Sequence, residues 1–385
     1  MKIVIAPDSF KESATAVEVA NAIKKGWTKA RPADQISLAP VSDGGEGFLT
    51  VLSESSEVEL FQAEVTNLNG HKITASYGIL ASQETAIIES ANTIGLDLIP
   101  AVDRNPAYAS SKGVGELILA ALNHNVKKII IGLGGSGTND GGAGLIQALG
   151  VALLDKNKQP IPPGGIHLQE LAYIDASNLN PKLKNIQFQI ACDVTNPLLG
   201  ENGATFVFGA QKGATPEMLV QLERAMQNYG AKLDQFSSQK ITTKKGAGAA
   251  GGIAAGLMTF LNTDVLSGSA LVMELSNMKD KMKDADIVIV GEGRMDKQSM
   301  MGKIPVQIAQ EAKKQGCFVL AIVGSLALEN NIAQQHGIDA FFPNIPEITD
   351  LPTLFENTTK NLERTAENIA KLTLIGKQFF KLFSF

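Results

Sequence analysis

Residues 127–155 read KKIIIGLGGSGTNDGGAGLIQALGVALLD. A β-branched apolar run leads into a loop with six glycines between Gly132 and Gly142, and a helical pattern follows. Strand, glycine loop and helix in that order mark an α/β protein and predict an anionic ligand. Glycines let backbone N–H groups approach an oxygen closely, and a following helix offers unpaired N–H groups and the positive end of its dipole. Gly132, Gly134 and Gly137 also satisfy G-x-G-x-x-G, and Asp155 ends the next apolar run about twenty residues on, which is the dinucleotide fingerprint. A kinase and an NAD(P)-dependent dehydrogenase therefore stand as alternatives, beside a glycine-rich turn with no ligand. Asn139-Asp140-Gly141-Gly142 is unusual for the first turn of a fingerprint helix, and the helix after Ala143 is short.

Working outward, 385 residues exceed one ordinary core and predict two domains. An apolar fraction of 44% with 19% charged residues describes a globular protein. The net charge of −5 argues against nucleic acid or an anionic membrane as partner, so an anionic substrate must be drawn by a few local cations. Cys192 and Cys317 lack metal-site spacing and read as buried free thiols in a reducing cytosol. His71, His124, His167 and His336 form no HExxH or paired-ligand pattern. No apolar run approaches the ~20 residues of a membrane helix. The chain opens directly on a strand, KIVIAP, without a signal-peptide pattern, so a cytoplasmic location is expected. The aromatic ending KQFFKLFSF reads as a docked terminal segment.

Lys2–Ala6 predicts a buried strand, followed by a loop and an amphipathic helix to about Arg31. Ile36–Pro40 predicts a second strand, with a helix from about Phe48. Residues 57–90 alternate apolar and polar positions, as in a half-exposed antiparallel sheet. Helices near 111–123 and 215–235, a strand at Ile186–Ala191, and a glycine cluster at 246–252 opening another helix complete the middle. After Asp286 the β-α alternation returns: IVIVGEG, a helix near 303–315, CFVLAIVG, AFFPNI and a last helix near 353–372. The expected architecture is an α/β protein with a discontinuous parallel domain from residues 1–60 and 286–385. Residues 61–285 form an inserted α+β domain carrying the glycine loops, with the active site in the cleft between the two.

Charged residues and glycines recur just after the predicted strands, where open α/β sheets bind ligands. Ala6-Pro-Asp-Ser-Phe-Lys11 places Asp8 and Lys11 after the first strand. Ser42-Asp-Gly-Gly-Glu-Gly47 places Asp43 and Glu46 after the second, although helix capping by Ser42 or Asp43 explains that segment equally well. Asp193 follows the strand ending near Ala191, and Gln211-Lys-Gly213 adds a cation. Gly291-Glu-Gly-Arg-Met-Asp296 supplies Arg294 and Asp296, and Gly302-Lys-Ile-Pro305 supplies Lys303. No Walker motif and no protein-kinase V-A-I-K or H-R-D set is present. Acids, lysines and glycines gathered at strand ends suit Mg-nucleotide chemistry better than hydride transfer, which needs no such collection.

These residues also carry a resemblance. PDSFK at 7–11, DGGEG at 43–47, ESANTIGLDLI at 89–99, GLGGSGTNDGGAG at 132–144, CDVTNPLLG at 192–200, GAGAAGG at 246–252, and GEGRMD with GK-x-P at 291–305 resemble the type 1 bacterial glycerate kinases, of the glycerate 2-kinase kind, over nearly the whole chain. Gly137 stands where alanine is usual, Ala210 where proline is common, and Ser299 where threonine is usual; no charged group is lost. The resemblance implies a flavodoxin-like domain built from both chain ends, a different inserted domain, and ATP-dependent phosphorylation of D-glycerate with Mg²⁺.

Residue type and strand-end position then give expected roles. Gly134, Gly135, Ser136, Thr138, Asn139 and Gly141 hold the ATP phosphates together with Lys303. Asp193 and Asp296 act as base or metal ligand, and Asp43 is a third candidate for Mg²⁺. Lys11 stabilises the transition state. Asp8, Asp43 and Arg294 bind the substrate, with Arg294 clamping its carboxylate. The resemblance favours 2-phosphoglycerate as product, and the residues leave 3-phosphoglycerate open as the alternative.

Overall fold

The computed structural model describes residues 1–297, 299–301, 303–327 and 330–383. Its strands in chain order are β1 (Lys2–Pro7), β2 (Gln35–Leu38), β3 (Glu59–Thr66), β4 (Lys72–Leu80), β5 (Thr85–Glu89), β6 (Lys128–Gly132), β7 (Ala152–Leu154), β8 (Tyr173–Asp175), β9 (Gln187–Ala191), β10 (Thr263–Leu266), β11 (Ile287–Met295), β12 (Phe318–Leu326) and β13 (Ala340–Pro343). The chain divides into two compact units. One comprises residues 1–42, 50–56 and 269–385, and the other 43–49 and 57–268.

The first unit holds a five-stranded sheet in the order β13-β12-β11-β1-β2, parallel throughout. Counted within the unit this is 2-1-3-4-5, the flavodoxin-like order. The central strand β1 pairs with β2 on one side and β11 on the other, so residues from both chain ends are needed to close the sheet. Ile3, Val4, Ile5 and Ala6 are fully buried, as a strand covered on both faces requires. Helix Ala16–Ala30 starts on a capping box in which Thr15 and Glu18 satisfy each other's backbone N–H groups. It packs against the C-terminal helix Thr358–Phe383. A Cβ at Gly26 would collide with the Glu363 carbonyl, so this glycine lets the two helices close. The last helical stretch, expected as one helix, is interrupted at Asn357 between Leu351–Glu356 and Thr358–Phe383.

The second unit holds a six-stranded mixed sheet in the order β10-β9-β6-β5-β4-β3. The segment expected to be antiparallel is so: β3 pairs with β4, and β4 with β5, antiparallel. From β5 to β10 the neighbours are parallel. The register pairs Glu89 with Gly132, Gly132 with Ala191, and Ala191 with Leu266, so four strand ends lie level along one edge. Ile129, Ile131, Phe188 and Ile190 anchor the strands in a core with no exposed surface of their own.

Three segments group differently from the boundaries expected at 60/61 and 285/286, the shortest being residues 57–60, which belong with the second unit. Residues 43–49 belong with the second unit, because their glycines pack on the ends of β6 and β9. Residues 269–285 belong with the first, where Met278–Met282 contacts helix Ile304–Lys314. The 246–252 cluster does open a helix, Ala249–Phe260, but Ala250, Gly251 and Gly252 are left-handed, so regular helix begins only after them.

Candidate active site

At the level edge of the second unit, β6 runs into the glycine loop. Gly135 is left-handed, at φ +61°, and exposed. Around it the loop is tied down: Leu96 N–H donates to Gly135 O at 2.9 Å, and Gly137 N–H to Ile94 O at 2.7 Å. Among the described residues, the backbone N–H groups of Gly134, Gly135 and Ser136 have no protein acceptor. Consecutive N–H groups about a left-handed glycine form a concave nest for an anion. The N–H groups of Thr138, Asn139 and Asp140 also lack one, but those residues have no exposed surface.

The 43–49 loop lies against this nest. A Cβ at Gly132 would come 2.6 Å from Gly44 O, and one at Gly44 would come 2.7 Å from Ala191 O. Glu89, buried at the end of β5, holds the loop: its two carboxylate oxygens accept the N–H groups of Gly47 and Leu49, each at 2.9 Å. Burial pushes the Glu89 carboxyl up to about 7, although both hydrogen bonds oppose the shift. Asp43 is exposed and accepts the Gly45 N–H at 2.9 Å. Asp193, exposed just past β9, accepts Ser267 Oγ at 2.7 Å and Gly268 N–H at 3.1 Å. Gly268 in turn abuts the Asp43 backbone so tightly that no Cβ fits. Both carboxylates act on the neighbouring Cys192, whose thiol is pushed to about 11 chiefly by burial. Asp43 and Asp193 are thus brought together by one glycine.

Under the nest lies Lys212, 2% exposed. Its Nζ donates to Ser136 Oγ at 3.0 Å and to Thr138 O at 2.7 Å. Burial lowers this ammonium to about 7, with Asp140 opposing. Asp140 is itself buried and accepts Ser111 N–H and Oγ–H, both at 2.8 Å, and the Gly142 and Gly144 N–H groups, both at 3.2 Å.

In the first unit the flavodoxin-like order reverses between β1 and β11, and ligands bind such sheets at that switch point, beyond the strand ends. Asp8 and Lys11 follow β1; Glu292, Arg294 and Asp296 lie at the end of β11. Asp8 N–H donates to Gly291 O at 2.9 Å, which continues the ladder into the loop. Phe10 is buried and pairs with Ala14, which fixes the turn carrying exposed Lys11. Glu12 beside it is left-handed at φ +64°, a conformation that costs a non-glycine residue about 1 kcal/mol or more. Gly293 lies against Phe10, with room for a Cβ only at 3.4 Å from the Phe10 Cα. Arg294, exposed, pairs with Asp296 at 3.4 Å, and Asp296 is bonded to Ser299. Lys303 stands at the N-cap position of helix Ile304–Lys314 and pairs with buried Glu292 at 3.6 Å, whose carboxyl is held above its ordinary range by burial.

Several expectations change. Thr138 and Asn139 are fully buried, and Gly141 packs on Tyr229, so the unpaired N–H groups open to an anion narrow to those of Gly134, Gly135 and Ser136. The dinucleotide fingerprint is not realised. Gly137 leads into buried loop, the next helix is only Ala143–Ala148, and Asp155 closes its own turn by accepting the Asn157 and Gln159 N–H groups at 2.8 Å. The three metal candidates divide between the units, with Asp43 and Asp193 in the second and Asp296 in the first. Among the described residues no group of three or more His, Cys, Asp or Glu could hold a metal ion. Asp8 and Arg294 share the first unit, whereas Asp43 does not; Lys303, expected with the nucleotide loop, sits with Glu292. Gly302 of the same turn lies outside the described residues. Glu89 and Glu292 escaped sequence reading. The one signal was an acid closing or ending an apolar strand run, TAIIE and IVIVGE, where a solvated loop acid is the ordinary reading.

The chain is similar to known proteins along nearly its whole length. The model of the glycerate kinase family matches residues 3–374. A glycerate kinase of Haemophilus influenzae is 44% identical over 373 residues, 97% of this chain and 98% of that protein. A glycerate 2-kinase of Escherichia coli K12 is 45% identical over 376 residues, 98% and 99% of the two chains. A solved structure from Salmonella typhimurium LT2, named as a glycerate kinase 2, superposes with a TM-score of 0.85 at 41% identity, covering 98% of this chain and 99% of that one.

Proposed function

The chain belongs to the glycerate kinase family, and from that premise we propose that it transfers the γ-phosphoryl group of ATP to the 2-hydroxyl of D-glycerate, giving 2-phosphoglycerate and ADP. It is a kinase, a phosphotransferase with an alcohol group as acceptor. The 2-position follows the relative named glycerate 2-kinase. One observation carries the site reading: the three unpaired N–H groups of Gly134, Gly135 and Ser136 share a sheet edge with Asp43 and Asp193.

In this reading the nest receives phosphate oxygens. Asp43 and Asp193 would hold Mg²⁺, an ion that keeps several waters and typically takes one or two carboxylates plus substrate phosphates, so a pair of acids without a third fits it. When bound, Mg²⁺ neutralises charge on the β- and γ-phosphates. In the first unit Arg294 grips the glycerate carboxylate with its planar fork, and Asp8 accepts from a hydroxyl. Asp296, beside the clamp, takes the proton of the attacking hydroxyl as its oxygen bonds to phosphorus and the bond to ADP breaks. Lys11 offsets the negative charge spread over the moving phosphoryl group.

Phosphorus NMR of the product from D-glycerate and Mg-ATP tests the reaction and its position at once. Phosphate on C2 couples to one proton and gives a doublet; on C3 it couples to two and gives a triplet. A triplet overturns the position, and no new phosphomonoester overturns the reaction.

A further inference from the structure

We propose that Lys212 is a positioning residue for nucleotide binding: its buried ammonium group fixes the 134–138 loop in its anion-receiving shape and places a positive charge directly beneath the nest. The proposal rests on the reading of that loop as the phosphate site.

The geometry is specific. Lys212 bonds the Ser136 side chain in the middle of the loop and the Thr138 carbonyl at its end, so its single Nζ spans the turn that follows Gly135. It is held there by the short turn Ala210–Lys212 and by left-handed Gly213, which abuts the Arg104 backbone too closely for any Cβ. The opposite side of the loop is fixed by backbone bonds to Ile94 and Leu96. Loop and ammonium are therefore located by the fold before any ligand arrives, which lowers the ordering cost of binding. The charge is also costly where it sits. Burying an ammonium group is unfavourable unless it is paired, and the acid that acts on it, Asp140, already accepts four hydrogen bonds from Ser111, Gly142 and Gly144. Asp140 also acts on buried Tyr229, on helix Pro216–Ser237, whose hydroxyl it helps to raise. An arriving phosphate supplies the opposite charge that the site lacks. Because burial brings this lysine to about 7, a bound polyphosphate raises it again, and nucleotide binding above neutral pH takes up a proton.

The test compares wild type, Lys212→Met and Gly135→Ala. KM for ATP, KM for glycerate and kcat are measured, with proton uptake on Mg-ADP binding at pH 8 read by calorimetry in two buffers of different ionisation enthalpy. Expected for Lys212→Met are at least a tenfold rise in KM for ATP, KM for glycerate within twofold, and loss of the proton uptake seen in wild type. A purely structural lysine would lower the melting temperature without coupling binding to protons, so unchanged uptake in a folded Lys212→Met variant overturns the proposal. Should that variant fail to fold, absence of uptake by the wild type overturns it equally. If Gly135→Ala weakens ATP binding and Lys212→Met does not, the role of Lys212 is wrong and the loop reading stands. If neither variant changes KM for ATP, the loop reading itself is wrong.

Discussion

Gly134 faces Gly45 with no room for a methyl group between them; a Cβ on Gly134 would collide with the Gly45 Cα. Two glycine segments separated by almost ninety residues of sequence are thus a single packed unit at the sheet edge. Gly134→Ala is expected to destabilise the fold by about 1–3 kcal/mol, the usual cost of overpacking. It is also expected to lower kcat/KM for ATP at least tenfold. Denaturant unfolding and a coupled assay check both, and a neutral variant would show that the two loops separate without consequence.

Glu89 holds the 43–49 loop through two backbone N–H groups. Glu89→Gln replaces one acceptor with a donor and leaves a buried N–H unsatisfied, at a cost of about 1–3 kcal/mol. Because Asp43 rides on this loop, the Mg²⁺ concentration for half-maximal activity is expected to rise at pH 8. An unchanged Mg²⁺ response with reduced stability would limit Glu89 to a structural part.

Two buried groups predict how stability depends on pH. Glu89 titrates near 7 when folded against an ordinary 4.5, so between those values the folded state holds a proton that the unfolded state has lost. Unfolding then releases a proton, and stability falls as pH rises through that window. Asp140, raised by burial, acts in the same direction. Lys212 titrates near 7 when folded against 10.5, so in that range the unfolded state holds the extra proton and stability rises with pH. These groups together predict a minimum near neutrality. The check is the melting temperature from pH 5 to 10: Glu89→Gln should flatten the falling limb and Lys212→Met the rising one.

Removing Mg²⁺ with a chelator should abolish turnover and restore it on re-addition. Asp43→Asn and Asp193→Asn should each raise the Mg²⁺ requirement at least tenfold. Both side chains are exposed, so melting temperatures should stay near wild type. Wild-type Mg²⁺ titration curves in both variants would remove this pair from the metal site.

Arg294 is 70% exposed, and its ion pair with Asp296 contributes little to stability, about 0–1 kcal/mol. Arg294→Met should therefore fold normally, raise KM for glycerate at least tenfold, and leave KM for ATP within twofold. A rise confined to ATP would place the clamp on the wrong substrate.

The sequence by itself determined the elements and the family. Apolar β-branched runs such as KIVIAP and IVIVGEG read as buried strands because only strands covered on both faces lack polar alternation, and VELFQAEV read as antiparallel because one face stays wet. Seven ordered motifs carried the resemblance because strand ends and glycine turns are where chemistry and backbone geometry constrain residue type. The sequence could not tell which of those residues are buried. Thr138 and Asn139 look like phosphate donors, yet both are buried, because left-handed Gly251 lets another segment press against them. Lys212 reads as one more possible cation for an anionic ligand, and Glu89 as the end of a strand. Only the tertiary structure decided that these two charges sit inside and hold the loops, because burial depends on what distant segments bring to a position. It also decided that Asp43 stands beside Asp193, in the unit that does not contain Asp8 and Arg294: Gly44, Gly132 and Gly268 remove the side chains that would keep the second unit's backbones apart.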